Sequence, residues 1–240
     1  MDTTTIRARP ARLRRRWLQY SLRWLLVIVT LSGIGLGLVV RRAERQRKAV
    51  AEVRASGEAW YKFEVSPPPA VRGELPGPDW LCRLLGVDYF AEVTNATLAF
   101  SATDATVAHL SGLTSLKELS LYGTRVTDPG LAHLSGLTSL QWLSLDRTQV
   151  GDAGLAYLSG LTSLQVLWLD GTQVGDAGLA HLSGLTSLRE LSLEGTQVGN
   201  PGLAHLSGLT SLRVLSLRGT QVTDAGYRRL QAALPKCRIR

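Results

Sequence analysis

The sequence predicts an α/β solenoid, with a parallel β-sheet on its concave side and short helices on its convex side, preceded by one transmembrane helix. Three observations predict it. One 24-residue unit is written five times over 113–232, in copies beginning at Leu113, Leu137, Leu161, Leu185 and Leu209. Within each copy the apolar spacing changes from every second residue to every third, which is a switch from strand to helix. Ahead of the copies, the 17 residues from Trp24 to Val40 carry no charge. A unit this short cannot bury its own apolar face, so it must stack on its neighbours.

The copy from Leu161 to Gly184 shows the logic. Leu167 and Leu169 alternate with outward residues as a strand does, and Leu164 leads into them. Gly171 and Thr172 turn the chain, and Val174 points back inside. Asp176 is the expected N-cap of a short helix, its carboxylate accepting from the first free N–H groups of that helix. In two copies the next residue is Pro129 or Pro201, which suits a first helical position. Leu179 and Leu182 form the buried stripe, and Gly184 is placed to close the helix in the left-handed conformation. Stacked copies set their strands about 4.8 Å apart. Leu116, Leu119, Leu121, Val126, Leu131, Leu134 and their equivalents then make one continuous core.

The pattern Leu-x-x-Leu-x-Leu-x-x-Thr-x-Val resembles the leucine-rich repeat signature, with Thr124, Thr148, Thr172, Thr196 and Thr220 where that family usually has Asn or Cys. Its continuation over 127–134, Thr-Asp-Pro-Gly-Leu-Ala-His-Leu, is similar to the ribonuclease-inhibitor-like subclass found in F-box proteins and in many bacterial repeat proteins. The whole is similar to bacterial membrane-anchored leucine-rich repeat proteins. The resemblance covers about half the chain in clean copies and implies protein binding without a common catalytic site. For the replaced Asn/Cys column, a ladder of buried threonine hydroxyls is the expectation.

Taken in order, 1–23 is a basic segment, 24–40 the transmembrane helix, and 41–78 a juxtamembrane helix, a strand and a Pro-rich linker. Residues 79–112 are an N-terminal cap with a degenerate repeat, 113–232 the five repeats, and 233–240 a C-terminal cap. Of the 27 Lys/Arg and 19 Asp/Glu, residues 1–54 hold 13 and 3, so residues 55–240 hold 14 and 16, a net of −2. The formal charge of +8 therefore belongs to the membrane flank, and no nucleic-acid groove is expected in the folded part. The apolar run spans about 26 Å at ~1.5 Å per residue, and Trp17, Tyr20 and Trp24 suit the interface. Seven arginines before it against five basic residues after it place the N-terminus in the cytoplasm and the repeats outside. A cleaved signal peptide is the rival, but Val39-Val40-Arg41-Arg42 offers no small-x-small cleavage site. The stretch Leu13-Arg-Arg-Arg-Trp-Leu-Gln19 also loosely resembles a twin-arginine export signal, but in so arginine-rich a segment a solvated positive flank is the better explanation.

Arg41 to Ser56 reads as a helix leaving the membrane, Trp60 to Val65 as a strand, and Pro67 to Pro78 as a stiff connector. Asp79 caps a short helix over 80–85, while Tyr89, Phe90 and Val93 cover the first strand. Residues 97–112 read as an eroded repeat whose strand half is shortened, and Tyr227 to Leu234 as a closing helix, so the array reads as complete. Cys82 and Cys237 fall in opposite caps, too far apart for a disulfide.

No serine–histidine–acid set, phosphate loop or zinc spacing is present, and neither enzyme activity nor a cofactor is expected. His109, His133, His181 and His205 share one column, which Tyr157 interrupts; repetition explains it better than a metal ladder. What varies between copies is the outward side of the strands. The first outward column reads Glu118, Trp142, Val166, Glu190, Val214; the second is serine except for Trp168; the third reads Tyr122, Asp146, Asp170, Glu194, Arg218. Trp142 and Trp168 fall diagonally on adjacent strands beside three stacked carboxylates, whose mutual repulsion a basic partner would relieve. One carboxylate per repeat is too few for calcium.

The expectation is a non-enzymatic, membrane-anchored scaffold that binds a protein or peptide on the concave face, with Trp142, Trp168, Asp146, Asp170 and Glu194 as anchors and Glu118, Glu190 and Tyr122 beside them. A structural envelope spacer and an intracellular substrate adaptor similar to the F-box repeat proteins are the alternatives. Pairing of two concave faces also stays open.

Overall fold

The computed structural model describes Gly37, Arg41, Glu44, residues 64–66 and residues 92–240. The chain divides into two units, Met1–Ala43 and Glu44–Arg240; in the first only Gly37 and Arg41 are described, both helical. Among the described residues no helix is long and apolar enough to cross a membrane. The basic segment 1–23, the span expected at 24–40 apart from Gly37, most of the helix at 41–56, the Pro-rich linker, the cap helix with Cys82, and Tyr89 and Phe90 lie outside the described residues.

Among the described residues eight strands follow one another in chain order: β1 (Glu64–Ser66), β2 (Glu92–Thr97), β3 (Glu118–Ser120), β4 (Trp142–Ser144), β5 (Val166–Trp168), β6 (Glu190–Ser192), β7 (Val214–Ser216) and β8 (Arg238–Ile239). β1 pairs antiparallel with β2, and every later pair is parallel. Identical sequence sets identical register, so Leu119, Leu143, Leu167, Leu191 and Leu215 align across the sheet and are fully buried. Slipping a strand by one residue would turn that whole column to solvent.

The return path of each unit is a single α-turn followed by a 3-10 turn, as in Asp176–Leu179 and Ala180–Leu182. In a 3-10 turn residues three apart eclipse one another, so Leu179 and Leu182 both face the core. The N-cap is one residue earlier than the sequence suggests: Thr127, Gly151, Gly175, Gly199 and Thr223 hold the extended conformation, and the aspartate, or Asn200 in the fourth copy, is the first helical residue. Pro129 and Pro201 are accordingly second. The aspartate also does not cap its own helix. Side chains at a helix start tilt toward its N-terminus, and here they reach the N-cap amide of the following unit. Asp128 accepts from Gly151 N (2.7 Å), Asp152 from Gly175 N (2.6 Å) and Asp176 from Gly199 N (2.7 Å). Asp104 binds both the amide and the hydroxyl of Thr127, and Asn200 does the same for Thr223 with its amide group.

This tie explains a glycine. A Cβ on Gly178 would lie 2.5 Å from Asp152 Oδ1, and Gly130, Gly154, Gly202 and Gly226 are crowded in the same way. The glycine in Asp-x-Gly-Leu makes room for the carboxylate of the unit before.

Three further expectations are corrected. The left-handed residue is not at Gly184 but at the strand-end turn, where Gly123, Gly171, Gly195 and Gly219 have φ of 66–72° and Arg147 has 56°. The threonines form no ladder between units; each hydroxyl donates to the leucine carbonyl three residues back, as Thr172 does to Leu169 O at 2.6 Å. A hydroxyl so close to that carbonyl is engaged within its own turn. The strand of the degenerate repeat is longer than the others, six residues against three, because β2 must pair with β1 as well as β3. That unit is shortened at its turn instead: Leu98 stands where Leu121 does, four residues before Ala102, whereas Val126 is five residues after Leu121.

At the other end, the helix Asp224–Ala233 is the longest of the described return paths, and the segment after it adds β8 to the sheet rather than only covering it. Cys237 is a buried free thiol whose desolvation raises its pKa.

Candidate functional site

The helices cover one side of the sheet, and the other side carries the three outward columns. Parallel register places Glu118, Trp142, Val166 and Glu190 side by side, and likewise Ser120, Ser144, Trp168, Ser192 and Ser216. Trp142 and Trp168 meet diagonally between β4 and β5, edge to face, with ring centroids 5.1 Å apart and planes at 77°. This arrangement lets the positive edge of one ring face the negative face of the other. Trp168 Nε1 also donates to Glu190 Oε1 at 3.0 Å, so this indole reaches from β4 to β6. The small serines on either side leave it that room. Both tryptophans are half-buried, so each shelters the other while keeping surface toward solvent.

The carboxylates differ from one another. Asp146 is buried, 6% exposed, and accepts from the Asp170 amide (2.9 Å) and the Ser144 hydroxyl (3.0 Å). Burial pushes its carboxyl above the ordinary 3.8, against the opposing pull of those two hydrogen bonds. Asp170 accepts in turn from the Glu194 amide at 2.8 Å. The row that reads in sequence as three repelling charges is thus partly a second set of ties between units. Glu194, half-buried, carries the carboxylate at the end of the row and binds no described donor. Glu118 accepts from Asn95 Nδ2 at 2.8 Å.

At the strand-end corner nearest β2, the exposed Tyr122 stands edge-on to Phe100, with centroids 6.1 Å apart and planes at 64°. The Arg147 guanidinium carbon lies over the Tyr122 ring, 5.6 Å from its centroid. Sequence reasoning missed Phe100 and Arg147. The available signal was Arg147 itself, an arginine in a column otherwise of glycine.

The site residues expected from sequence therefore fall into three groups. Trp142, Trp168 and Glu190 are brought together, Tyr122 sits apart with Phe100 and Arg147, and Asp146 and Asp170 face inward along the row. Among the described residues no group of three His, Cys, Asp or Glu is placed to hold a metal ion. His133, His181 and His205 are exposed on the opposite side, one per unit.

The chain is similar to known proteins in its repeats. The leucine rich repeat family model matches residues 184–207 and 208–229. Similar solved structures include internalin C2 from Listeria monocytogenes, 26% identical over 63% of this chain and 75% of that one, with a TM-score of 0.48. Another is the internalin inlF of the same organism, 27% identical over 55% of this chain and 43% of that one, with a TM-score of 0.44. A leucine-rich repeat protein of Leptospira interrogans is 23% identical over 55% of this chain and 33% of that one, with a TM-score of 0.46. No curated protein sequence matches the chain. Two matched repeats stand at the period that the other copies share, and each copy lays down the same strand, turn and helix: the chain carries leucine-rich repeats over 184–229, and their pattern recurs along 113–232.

Proposed function

We propose that this chain is a non-enzymatic, membrane-anchored scaffold that binds a protein or peptide on the open face of its repeat sheet. The observation that carries the reading is the Trp142–Trp168 pair. Two indoles on two adjacent strands, in columns otherwise made of serine, valine and glutamate, form a rigid amphipathic patch, the kind of side chain that dominates binding hot spots. Glu190 holds Trp168 in place, so the patch is pre-ordered and little freedom is lost on binding. Glu118 and Glu194 flank the patch, Tyr122 lies at the corner beyond it, and Asp146 and Asp170 stiffen the face beside it. The anchor is the uncharged run 24–40, with the N-terminus cytoplasmic and the repeats outside, on the strength of the flanking arginines.

The test uses the full chain in its own cells, with a photo-crosslinking residue in place of Val166, beside Trp142 in register. One dominant adduct is expected with Val166, lost when Trp142 and Trp168 are both alanine, and none from the same probe in place of His181 on the helical side. A pattern of adducts indifferent to the tryptophans would refute the reading and favour a spacer; an adduct between two copies would identify the chain as its own partner. Protease added outside intact cells, with a reporter after Arg240, tests the orientation. Protection until the inner membrane is breached would overturn it.

A further inference from the structure

Four of the five strand-end turns use glycine at the left-handed position, and the fifth uses Arg147 at φ 56°. A side chain there opposes the backbone, since the left-handed region crowds Cβ against the carbonyl. What the arginine gains is position. Its guanidinium lies over Tyr122, which meets Phe100 edge-on. Phe100 in turn is seated against Gly123, where a Cβ would come within 2.9 Å of its ring. Phe100 is 67% exposed and Tyr122 39%, two of the four large exposed hydrophobics among the described residues. The Arg147 backbone N–H donates to Asp170 O at 2.7 Å, while its guanidinium donates to no acceptor among the described residues; Asp146, just before it in the chain, feels that positive charge but directs its oxygens to the Asp170 amide and the Ser144 hydroxyl.

We propose that Phe100, Tyr122 and Arg147 form a carboxylate-binding corner of the open face, at which the protein partner presents an Asp or Glu side chain. A guanidinium held over a ring face keeps its forked donors toward solvent, in the geometry that matches a carboxylate with two parallel hydrogen bonds. The exposed rings on one side exclude water from that pair and take an apolar neighbour of the acid. The partner class sharpens accordingly. The acidic row does not demand a purely basic ligand, because two of its three carboxylates are already bonded to backbone amides or a hydroxyl, and the corner adds a requirement for an acid. This rests on the reading of the open face as a protein-binding surface.

The test is a displayed random-peptide library selected on the full chain in detergent micelles, with Arg147→Gly, Arg147→Lys and the Trp142→Ala/Trp168→Ala pair as comparisons. Arg147→Gly installs the residue that the other four turns carry, so its thermal melt should show an intact fold. Enriched peptides are expected to share an Asp or Glu at one position. Their affinity should fall about 10–100-fold for Arg147→Gly, and equally when that acid becomes its amide. Arg147→Lys should restore little of it, lacking the fork. Peptides that bind Arg147→Gly as well as the wild type but fail on the tryptophan variant would overturn the corner and leave the face standing. Peptides indifferent to both variants, or no enrichment at all, would overturn the corner and the face together.

Discussion

Replacing Gly154 by alanine should destabilise the protein, and the same replacement should stabilise it once Asp128 is gone. The added Cβ would overlap Asp128 Oδ1 and approach Leu131 Cδ1 to 3.1 Å. Asp128 must then leave the Gly151 amide that it holds at 2.7 Å. Losing a hydrogen bond to a charged group costs about 1.5–3 kcal/mol. Exchanging glycine for alanine inside a helix returns up to ~1 kcal/mol. Gly154→Ala alone should therefore cost about 0.5–2.5 kcal/mol. Asp128→Ala alone should cost about 2–4 kcal/mol, since the helix start also loses its negative charge. In that background no oxygen opposes the new methyl group, the leucine can give way, and Gly154→Ala should stabilise by about 0.5–1 kcal/mol. The assay is equilibrium urea unfolding of the four proteins, followed by circular dichroism. If Gly154→Ala costs the same in both backgrounds, the glycine is not there to admit the neighbouring carboxylate, and the account of the inter-repeat tie is wrong.

Two other perturbations follow from the geometry. Thr172→Val keeps the shape but removes the hydroxyl that closes the turn onto Leu169 O; that carbonyl still accepts the backbone N–H, so urea unfolding should show a loss of only about 0.5–1.5 kcal/mol. Asp146→Asn tests the buried carboxyl. Because the folded pKa lies above 3.8, the native state binds the proton more tightly, so the stability that Asp146 contributes is greatest below pH 3.8 and is lost as pH rises through the folded value. The asparagine, which can still accept from the Asp170 amide, should be at least as stable as the wild type at neutral pH and should lose that advantage in acid. Unfolding midpoints measured across the acid range check this; an advantage that persists below pH 3.8 would refute the linkage.

The repeating half of the fold was legible because one period repeats without slippage, so a single choice of strand, turn and helix is checked five times over. The meeting of Trp142 and Trp168 was legible for the same reason: in a parallel sheet with matched register, residues two apart on adjacent copies are diagonal neighbours. What the letters cannot show is which of two equivalent partners a group chooses. An aspartate at a helix start can bond its own helix or the next one, and the pattern reads the same either way; stacking decides, because the next amide is nearer to the tilted side chain. Two glycine columns compete for the left-handed turn, and Arg147 in one of them points away from the true one. The acidic row reads as repulsion because backbone amides are invisible in a sequence. Asp146 and Asp170 each follow the buried leucine just past the strand end, and there each carboxylate accepts from the next unit's amide.

The forward-pointing aspartate has an evolutionary consequence. Each interior unit offers its successor an acceptor and offers its predecessor a glycine amide and an empty space, so interior units are interchangeable parts with a sending and a receiving side. Whole units can be duplicated or excised by recombination without leaving a mismatched joint, whereas a fraction of a unit cannot. The joints at Asp104–Thr127 and Asn200–Thr223 are different: a hydroxyl joins the amide on the receiving side, and at the second joint the sender is an amide instead of a carboxylate. These two joints bracket a stretch that is free to change its length in steps of 24 residues while its flanking joints stay fixed.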